Sequence, residues 1–254
     1  MIKWRAGDYA MIGAKLVIVA EQLCERLDLR AGQRVLDVAC GHGKAALAAA
    51  RRGCVVSGVD LVDAWLRQAR ERASAEQLEV GFCHGDALAL PFPDASFDVV
   101  LSVFGAPFAG DHPRAAAELL RVCRPGGKIA LANWTPSGFG LAFFQTLATC
   151  APQPSQDPSP LSWGEQATLV TLFREAGGLR IEPRRFTHRY PSAEAFVGYF
   201  RRHFGPAVCA FQRLDDDGRE RLAGELLAVA QRFDRSDDAS WLGDMDYLEV
   251  DILR

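Results

Sequence analysis

The chain has 254 residues, of which 49% are hydrophobic and 24% charged, and its formal net charge is −3. This length and apolar content suit one compact domain with a substantial core, and the small negative charge argues against a nucleic-acid partner. The seven cysteines occur singly, without the short paired spacing of zinc or thioredoxin-like sites, so we expect buried thiols in a reducing cytoplasm and no metal ion.

The first predicted element is an amphipathic helix over residues 9–20. This segment is apolar, but it contains Lys15 and is short for a bilayer span, which argues against a membrane anchor or a secretion signal. We therefore expect a cytoplasmic protein without a membrane partner. The sequence leaves open whether it is a monomer or a homodimer.

The next segment, 34–43, is the most informative part of the chain. An apolar strand carries Asp37 near its end and breaks into a loop with Gly41 and Gly43, and a helix pattern follows from Lys44. A strand, a tight loop and a helix in this order form a corner that cradles nucleotides, and glycines let the ligand approach the backbone. Because Asp37 is an anion, it disfavours a pyrophosphate there and favours a cationic, phosphate-free ligand such as S-adenosylmethionine.

Two further acids stand at the predicted ends of buried strands. Asp60 closes the strand 55–60, about 20 residues after the loop, where a carboxylate accepts hydrogen bonds from ribose hydroxyls. Asp86 follows the strand 80–83 and is suitably placed to accept from an adenine amino group. A fourth strand over 97–102, a short helix to residue 122, and a Pro-Gly-Gly turn before a fifth strand over 128–133 complete the pattern.

In this order the motifs resemble the class I S-adenosylmethionine-dependent methyltransferases, in particular their small-molecule branch, over roughly residues 34–134. The resemblance implies an α/β, doubly wound, Rossmann-like fold with a mostly parallel seven-stranded sheet and an antiparallel last strand. It also implies S-adenosylmethionine as cofactor and S-adenosylhomocysteine as product.

The resemblance also assigns roles to residues. Asp37 would approach the methionine amino group, Asp60 would hold the ribose diol, and N-terminal aromatic residues would close over the methionine end. Ala39 stands where the family has a glycine, and we expect a loop of ordinary backbone conformation to accept its methyl group. The predicted cofactor-binding residues are Trp4, Tyr9, Asp37, Ala39, Gly41, Gly43, Asp60, Leu61, Asp86, Ala87, Ser102 and Val103.

Two other functions are consistent with the same motifs. Residues 41–46 also satisfy the Gly-x-Gly-x-x-Gly/Ala fingerprint of nicotinamide oxidoreductases, against which stand the charge of Asp37 and the Pro-Gly-Gly turn. The second alternative keeps the cofactor but uses it for a reaction other than methyl transfer, or merely senses it.

The chain changes character after residue 134. Residues 135–163 are rich in Gly, Pro, Ser and Phe, and the prolines over 152–160 predict no helix longer than a turn or two. We expect a helix over 164–176, strands over 179–187 and 245–253, and helices over 192–233 that begin with Ser192 as N-cap. The single domain 1–254 is thus predicted to comprise an N-terminal cap (1–30), a cofactor-binding core (31–134) and helical lid insertions over the substrate pocket (135–165 and 191–235).

The predicted reaction is methyl transfer to an O or N atom of a small, aromatic or hydrophobic metabolite. Residues 102–105 lack the Asn/Asp-Pro-Pro motif of enzymes that methylate the amino groups of nucleic acids or glutamine. Aromatic residues in the lid and after the fourth strand are candidates to enclose such a substrate. These candidates are Phe104, Phe108, Trp134, Phe139, Tyr199 and Phe200.

His112 is the candidate general base, because it lies just beyond the fourth strand and histidine titrates near neutral pH. A structural interpretation competes with this role and is the stronger of the two. Asp111 and Pro113 flank the histidine and together form a helix-start signal, with Asp111 as N-cap.

Overall fold

Parallel and antiparallel strands combine in one seven-stranded sheet of the order β3-β2-β1-β4-β5-β7-β6. The computed structural model describes residues 6–152 and 158–254, so Trp4 lies outside the described residues. The strands are β1 (Arg34–Val38), β2 (Val55–Asp60), β3 (Val80–His84), β4 (Phe97–Val103), β5 (Cys123–Trp134), β6 (Gly178–Tyr190) and β7 (Trp241–Leu253).

Helices cover both faces of this sheet. The α-helices are α1 (Tyr9–Lys15), α2 (Val17–Arg26), α3 (Lys44–Ala50), α4 (Asp63–Ala75), α5 (His112–Val122), α6 (Gly138–Cys150), α7 (Gln166–Leu172), α8 (Ala193–His203), α9 (Gly205–Arg213) and α10 (Asp216–Arg232). Short 3₁₀ turns lie at Ala106–Phe108 and Pro160–Gly164.

The topology confirms the predicted doubly wound α/β fold. Strands β1 to β5 run parallel, whereas β7 lies antiparallel between β5 and β6. β1 pairs with β2 on one side and with β4 on the other, so the strand order reverses between β1 and β4. In doubly wound sheets a ligand crevice forms at this reversal, outside the carboxyl ends of the strands.

Two apolar clusters fill the space between the sheet and its helices. One cluster lies against α2, α3 and α8, and the other lies against α5 and α7. Helix α3 is rich in alanine, and its residues 44–49 are all buried. These small side chains let α3 lie close to the sheet and bring its N-terminus next to the end of β1.

The structure corrects three predicted elements. Helix α6 has 13 residues instead of one or two turns, because Phe139, Phe143 and Leu147 recur every four residues on one buried face ahead of the prolines. The N-terminal segment forms two helices that meet at Leu16. β5 begins before the Pro-Gly-Gly turn, which produces an irregularity in its pairing with β4, with Gly126 at a φ of 72°.

None of the helices within residues 6–152 and 158–254 has the length and the apolar character that crossing a membrane requires.

Candidate active site

The loop after β1 holds its shape through left-handed backbone conformations. Ala39, Gly41 and Gly43 have φ angles of 54°, 56° and 84°. The expectation of an ordinary conformation at Ala39 is therefore wrong, since an L-residue in this region carries roughly 1–2 kcal/mol of strain. Gly43 is the N-cap of α3, and a Cβ there would lie 3.1 Å from the ring of Phe82. Gly43 is thus required by helix packing, whereas Gly41 faces open space beside Tyr9.

Asp60 ties the end of β2 to this loop. One carboxylate oxygen accepts a hydrogen bond from the Gly41 N–H at 2.8 Å, and the other accepts from the Val62 N–H at 2.9 Å. Burial raises the pKa of Asp60, and these backbone hydrogen bonds lower it. On the next strand end, Asp86 accepts a hydrogen bond from the Leu88 N–H at 2.9 Å. Both acids line one cavity.

Asp37 lies behind the loop instead of at the cavity surface. Its carboxyl is almost fully buried and accepts a hydrogen bond from the Ala46 N–H in the first turn of α3, at 2.9 Å. Burial raises the pKa of Asp37 to about 7, and the nearby Lys44 ammonium acts in the opposite direction. Asp37 therefore presents less negative charge to a ligand than the sequence predicts, because near neutral pH its carboxyl is partly protonated and partly compensated by Lys44.

Lys44 is a buried cation at the start of α3. Its side chain is only 3% exposed, and its ammonium lies 5.8 Å from the centre of the Tyr9 ring, which lines the cavity. Within the described part of the chain the ammonium forms neither a hydrogen bond nor an ion pair. The nearby carboxyl of Asp37 compensates part of this charge. Lys44 itself lines neither cavity, although its neighbour Tyr9 lines both.

His42, between the two loop glycines, is held by α4 and α1. An Arg72 N–H donates to its Nδ1 at 2.6 Å, and the same guanidinium nitrogen contacts the His42 carbonyl oxygen at 2.9 Å. Burial, with the charges of Lys44 and Arg72, lowers the pKa of His42 to about 3, so its ring is neutral. A Cβ on Gly13 would lie 2.1 Å from His42 Nε2, so α1 approaches the loop this closely only with glycine there.

A cavity of about 440 Å³ lies at the carboxyl ends of β1 to β4, and we call it the large cavity. It is lined by the loop after β1 and by the segments after β2 and β3. The turn after β4, α6, α9 and residues 158–160 also line it. Nine of the predicted site residues line it: Tyr9, Ala39, Gly41, Asp60, Leu61, Asp86, Ala87, Phe104 and Phe108.

At the end of β4, the residues that line the large cavity lie two positions after the predicted residues Ser102 and Val103. Ser102 is fully buried, and its hydroxyl donates to the Val38 carbonyl at 2.8 Å and accepts from the Ala106 N–H at 2.8 Å. Val103 packs in the core. The chain turns at Phe104, whose φ is 59°, so Phe104 and Gly105 line the large cavity in their place.

The structure does not bring His112 to the large cavity. Its Nε2 lies 2.9 Å from the Pro107 carbonyl oxygen, its Nδ1 lies 3.3 Å from the Ser162 hydroxyl, and its ring packs edge-on against Trp163. Asp111 caps helix α5 by accepting from the Arg114 N–H, which supports the competing structural interpretation. Both ring nitrogens of His112 therefore face protein groups and not the large cavity, and its role as general base stays a prediction.

Several of the predicted substrate-binding residues line a second cavity. A small cavity of about 40 Å³ lies beside the large one, and Tyr9, Phe104, Phe108 and Phe144 line both. Of the other predicted residues, three line the small cavity, and the fourth, Tyr199, lines neither and donates its hydroxyl to the Met11 carbonyl at 2.7 Å. Those three are Trp134, Phe139 and Phe200.

Sequence reasoning missed several residues of the site. Trp65 lines the large cavity from the first turn of α4 and packs against Tyr9, with ring centres 5.3 Å apart. An aromatic residue five positions after a strand-end acid was the available signal. Phe144 of α6 also lines the large cavity and is absent from the predicted set.

Two sequence similarities bear on the family. A family model described as a methyltransferase domain matches residues 36–131. An uncharacterized protein of Mycobacterium tuberculosis is 39% identical over 217 residues, which cover 84% of this chain and 79% of that relative. The chain belongs to the class I S-adenosylmethionine-dependent methyltransferases. It is an enzyme with S-adenosylmethionine as cofactor, and this decides against the nicotinamide alternative.

Other similarities agree with this family at the level of the core and the fold. The demethylmenaquinone methyltransferase of Deinococcus radiodurans is 44% identical over 111 residues, which cover 43% of this chain and 46% of that enzyme. The crystal structure of the YcgJ protein from Bacillus subtilis superposes with a TM-score of 0.64 at 22% identity, covering 92% of this chain and 97% of that one. The structural similarity supports the fold alone.

Proposed function

We propose that this methyltransferase transfers a methyl group to an O or N atom of a small, neutral, largely aromatic metabolite. The observation that carries this proposal is the large cavity itself. It joins the glycine loop and strand-end acids of a cofactor site to apolar walls from the β4 turn and α6. A cavity of about 440 Å³ lies within the usual range for small-molecule sites, roughly 300–1,000 Å³.

In this proposal the residues along the strand ends hold the cofactor. Asp60 accepts hydrogen bonds from the ribose hydroxyls while it orders the loop, and Leu61, Asp86 and Ala87 contact the adenine side. Gly41 allows close approach to the backbone, and Tyr9 covers the methionine end. The buried ammonium of Lys44 pairs with the cofactor carboxylate, a role that the sequence alone did not suggest.

The protein's part in the reaction is then chiefly positioning. Bound S-adenosylmethionine supplies an activated methyl group on a sulfonium. Phe104 and Phe108, which line the same cavity as the strand-end acids, orient the acceptor and exclude water, which increases the fraction of productive encounters. Since His112 is engaged elsewhere, we propose no general base, which suits acceptors that react as a phenolate or a free amine.

We also propose that α6, α8, α9 and α10 form the lid expected from the sequence. Phe144 of α6, Pro206 and Ala210 of α9, and the segment 158–160 line the large cavity. The Deinococcus radiodurans relative, whose name states that it methylates demethylmenaquinone, supports an apolar small molecule as acceptor.

The decisive experiment supplies methyl-labelled S-adenosylmethionine together with a panel of phenols and aromatic amines. We expect label in a product that organic solvent extracts, and no label in added tRNA or protein. If an acceptor is consumed while all label stays on the donor, the methyl-transfer proposal is wrong and the cofactor serves another reaction. If no phenol or aromatic amine is labelled while an aliphatic acceptor is, the substrate class is wrong.

A further inference from the structure

The small cavity is apolar and mostly aromatic, and one histidine lies in its wall. His188 in β6 lines it and is only 3% exposed. The ring is held edge-on by Phe186 and by Phe200, with ring centres 4.8 Å and 5.6 Å away. Four packed rings, including Phe196 and Tyr190, fix the orientation of the imidazole.

His188 has a polar atom without a partner in this apolar surrounding. Its Nδ1 is buried and forms no hydrogen bond within the described residues. An unsatisfied buried polar group costs free energy, so such groups in a ligand cavity are expected to find a partner on the ligand. Nothing in the cofactor chemistry described above uses this nitrogen.

The charge state of His188 restricts what that partner is. Burial lowers the pKa of His188 to about 3, and the ammonium of Lys15, which lies over the Tyr190 and Tyr199 rings, acts in the same direction. The imidazole is therefore neutral, with one donor and one acceptor nitrogen. A hydroxyl group both donates and accepts, so it pairs with either tautomer. A carboxylate or phosphate would lose its hydration here without a compensating charge.

The volume of the small cavity fixes how much of a ligand enters it. A cavity of about 40 Å³ has room for only a few atoms, since one water molecule occupies roughly 10–15 Å³ of such a cavity. A whole aromatic ring does not fit, but a single polar substituent does. The large cavity, which shares Phe104, Phe108 and Phe144 with the small one, holds the remainder of the molecule.

We propose that the methyl acceptor is an aromatic molecule with a hydroxyl group that enters the small cavity and hydrogen-bonds to the imidazole of His188. His188 is then a specificity-determining residue of the acceptor site. This inference rests on the proposed function, because it assumes that the acceptor occupies the large cavity beside the cofactor.

The test compares two probes that differ in one substituent. The full chain is saturated with S-adenosylhomocysteine, and its affinities for 2-naphthol and for 2-methylnaphthalene are measured by calorimetry. Wild type is expected to bind 2-naphthol about tenfold more tightly, because the methyl group leaves the histidine unpaired. In His188→Phe this preference is expected to fall below about threefold, mainly through weaker 2-naphthol binding.

Tyr190→Phe is the matched control. Tyr190 lies two residues further along β6, and its hydroxyl is also buried without a partner, but it lines neither cavity. We expect this variant to keep the wild-type preference. If His188→Phe does not fold, His188→Leu is used in its place, because it removes the same two ring nitrogens.

Three results would overturn the inference: no preference for 2-naphthol in wild type, no binding of it, or an undiminished preference in His188→Phe. S-adenosylhomocysteine binding is measured in every sample, because it tests the proposed cofactor site separately from the role of His188. Its absence in wild type would reject the cofactor site proposed above and this inference with it. Its presence without discrimination between the probes rejects the role of His188 alone.

Discussion

The carboxylate of Asp60 accepts a hydrogen bond from the backbone N–H of Gly41 at 2.8 Å, across 19 residues of sequence. The same carboxylate lines the large cavity. One side chain therefore shapes the glycine loop and lines the proposed cofactor site, so its removal is expected to affect cofactor binding in two ways.

Asp60→Ala is expected to weaken S-adenosylmethionine binding by more than about tenfold, because it removes the ribose acceptor and leaves the Gly41 N–H unpaired. Isothermal calorimetry measures this loss. Asp63→Ala is the control, since this acid is exposed at the start of α4 and lines neither cavity. Unchanged affinity in Asp60→Ala would contradict the proposed ribose contact.

Lys44→Met tests the proposed carboxylate contact by ligand comparison. We expect the affinity for S-adenosylhomocysteine to fall about tenfold or more, because a charge-assisted hydrogen bond is lost. The affinity for 5′-methylthioadenosine, which lacks the amino-acid end, should change by less than about threefold. Equal losses for both ligands would show that Lys44 acts through the loop, and Lys44→Arg should recover part of the difference.

Buried ionisable groups predict the pH dependence of stability. The pKa of His188 is about 3 in the folded protein and near 6.5 when unfolded, so between these values the unfolded chain binds the additional proton. The free energy of unfolding therefore falls as pH decreases through this window. His188→Phe should reduce that slope by about 1.4 kcal/mol per pH unit between pH 4 and 6, measured by urea unfolding.

Asp37 contributes with the opposite sign. Its pKa is raised to about 7 from an ordinary value of 3.8, so in this window the folded protein binds the additional proton and stability falls as pH rises. Asp37→Asn should therefore make the acid-side slope steeper by a similar amount. If Asp37→Asn and His188→Phe changed the slope in the same direction, this account would be wrong.

His112→Ala is expected to be a stability variant. It removes the hydrogen bonds to the Pro107 carbonyl and the Ser162 hydroxyl, and should lower the free energy of unfolding by about 1–3 kcal/mol. Chemical denaturation measures this loss. Affinity for S-adenosylhomocysteine should stay within about twofold of wild type. A large loss of methyl transfer at unchanged stability would instead favour the base predicted from the sequence.

Ala39→Gly relieves backbone strain in the loop after β1. A left-handed φ of 54° is unfavourable for alanine, so glycine should stabilise the protein by up to about 1 kcal/mol after its larger unfolded-state entropy is counted. Ala95, with a φ of 52°, provides a matched substitution in another loop. Destabilisation in Ala39→Gly alone would mean that the methyl group makes a packing contact that outweighs the strain.

Much of the fold was readable from local patterns. β2 spans the six predicted residues, and α8 begins after Ser192, whose hydroxyl accepts from the Ala195 N–H as an N-cap should. An apolar strand run and an N-cap residue each depend on a few neighbouring residues, so the sequence alone reveals them. The prolines over 152–160 predicted no long helix before them, but they lie beyond the last turn of α6. The apolar residues of α6 that recur every four positions are the signal that predicts this helix.

The site was predictable where a residue type marks a strand end, and less so elsewhere. Asp60 and Asp86 are recognisable in the sequence because each is an acid that follows an apolar strand, and both line the large cavity. The position of Phe104 depends on a left-handed turn in a residue other than glycine, which no composition signal reveals. His188 reaches the small cavity only because β6 pairs with β7 and packs under α8, contacts that local sequence does not encode.

The position of β7 has a consequence for how the chain reaches this structure. Residues 241–253 insert between β5 and β6, so β6 has no neighbour in the sheet until that late segment is available. During synthesis, the thirteen residues of β6 must therefore wait while α8, α9 and α10 emerge from the ribosome. Exposed strand edges promote association between chains, so slow or interrupted translation near residue 240 is the stage at which this protein is most prone to aggregate.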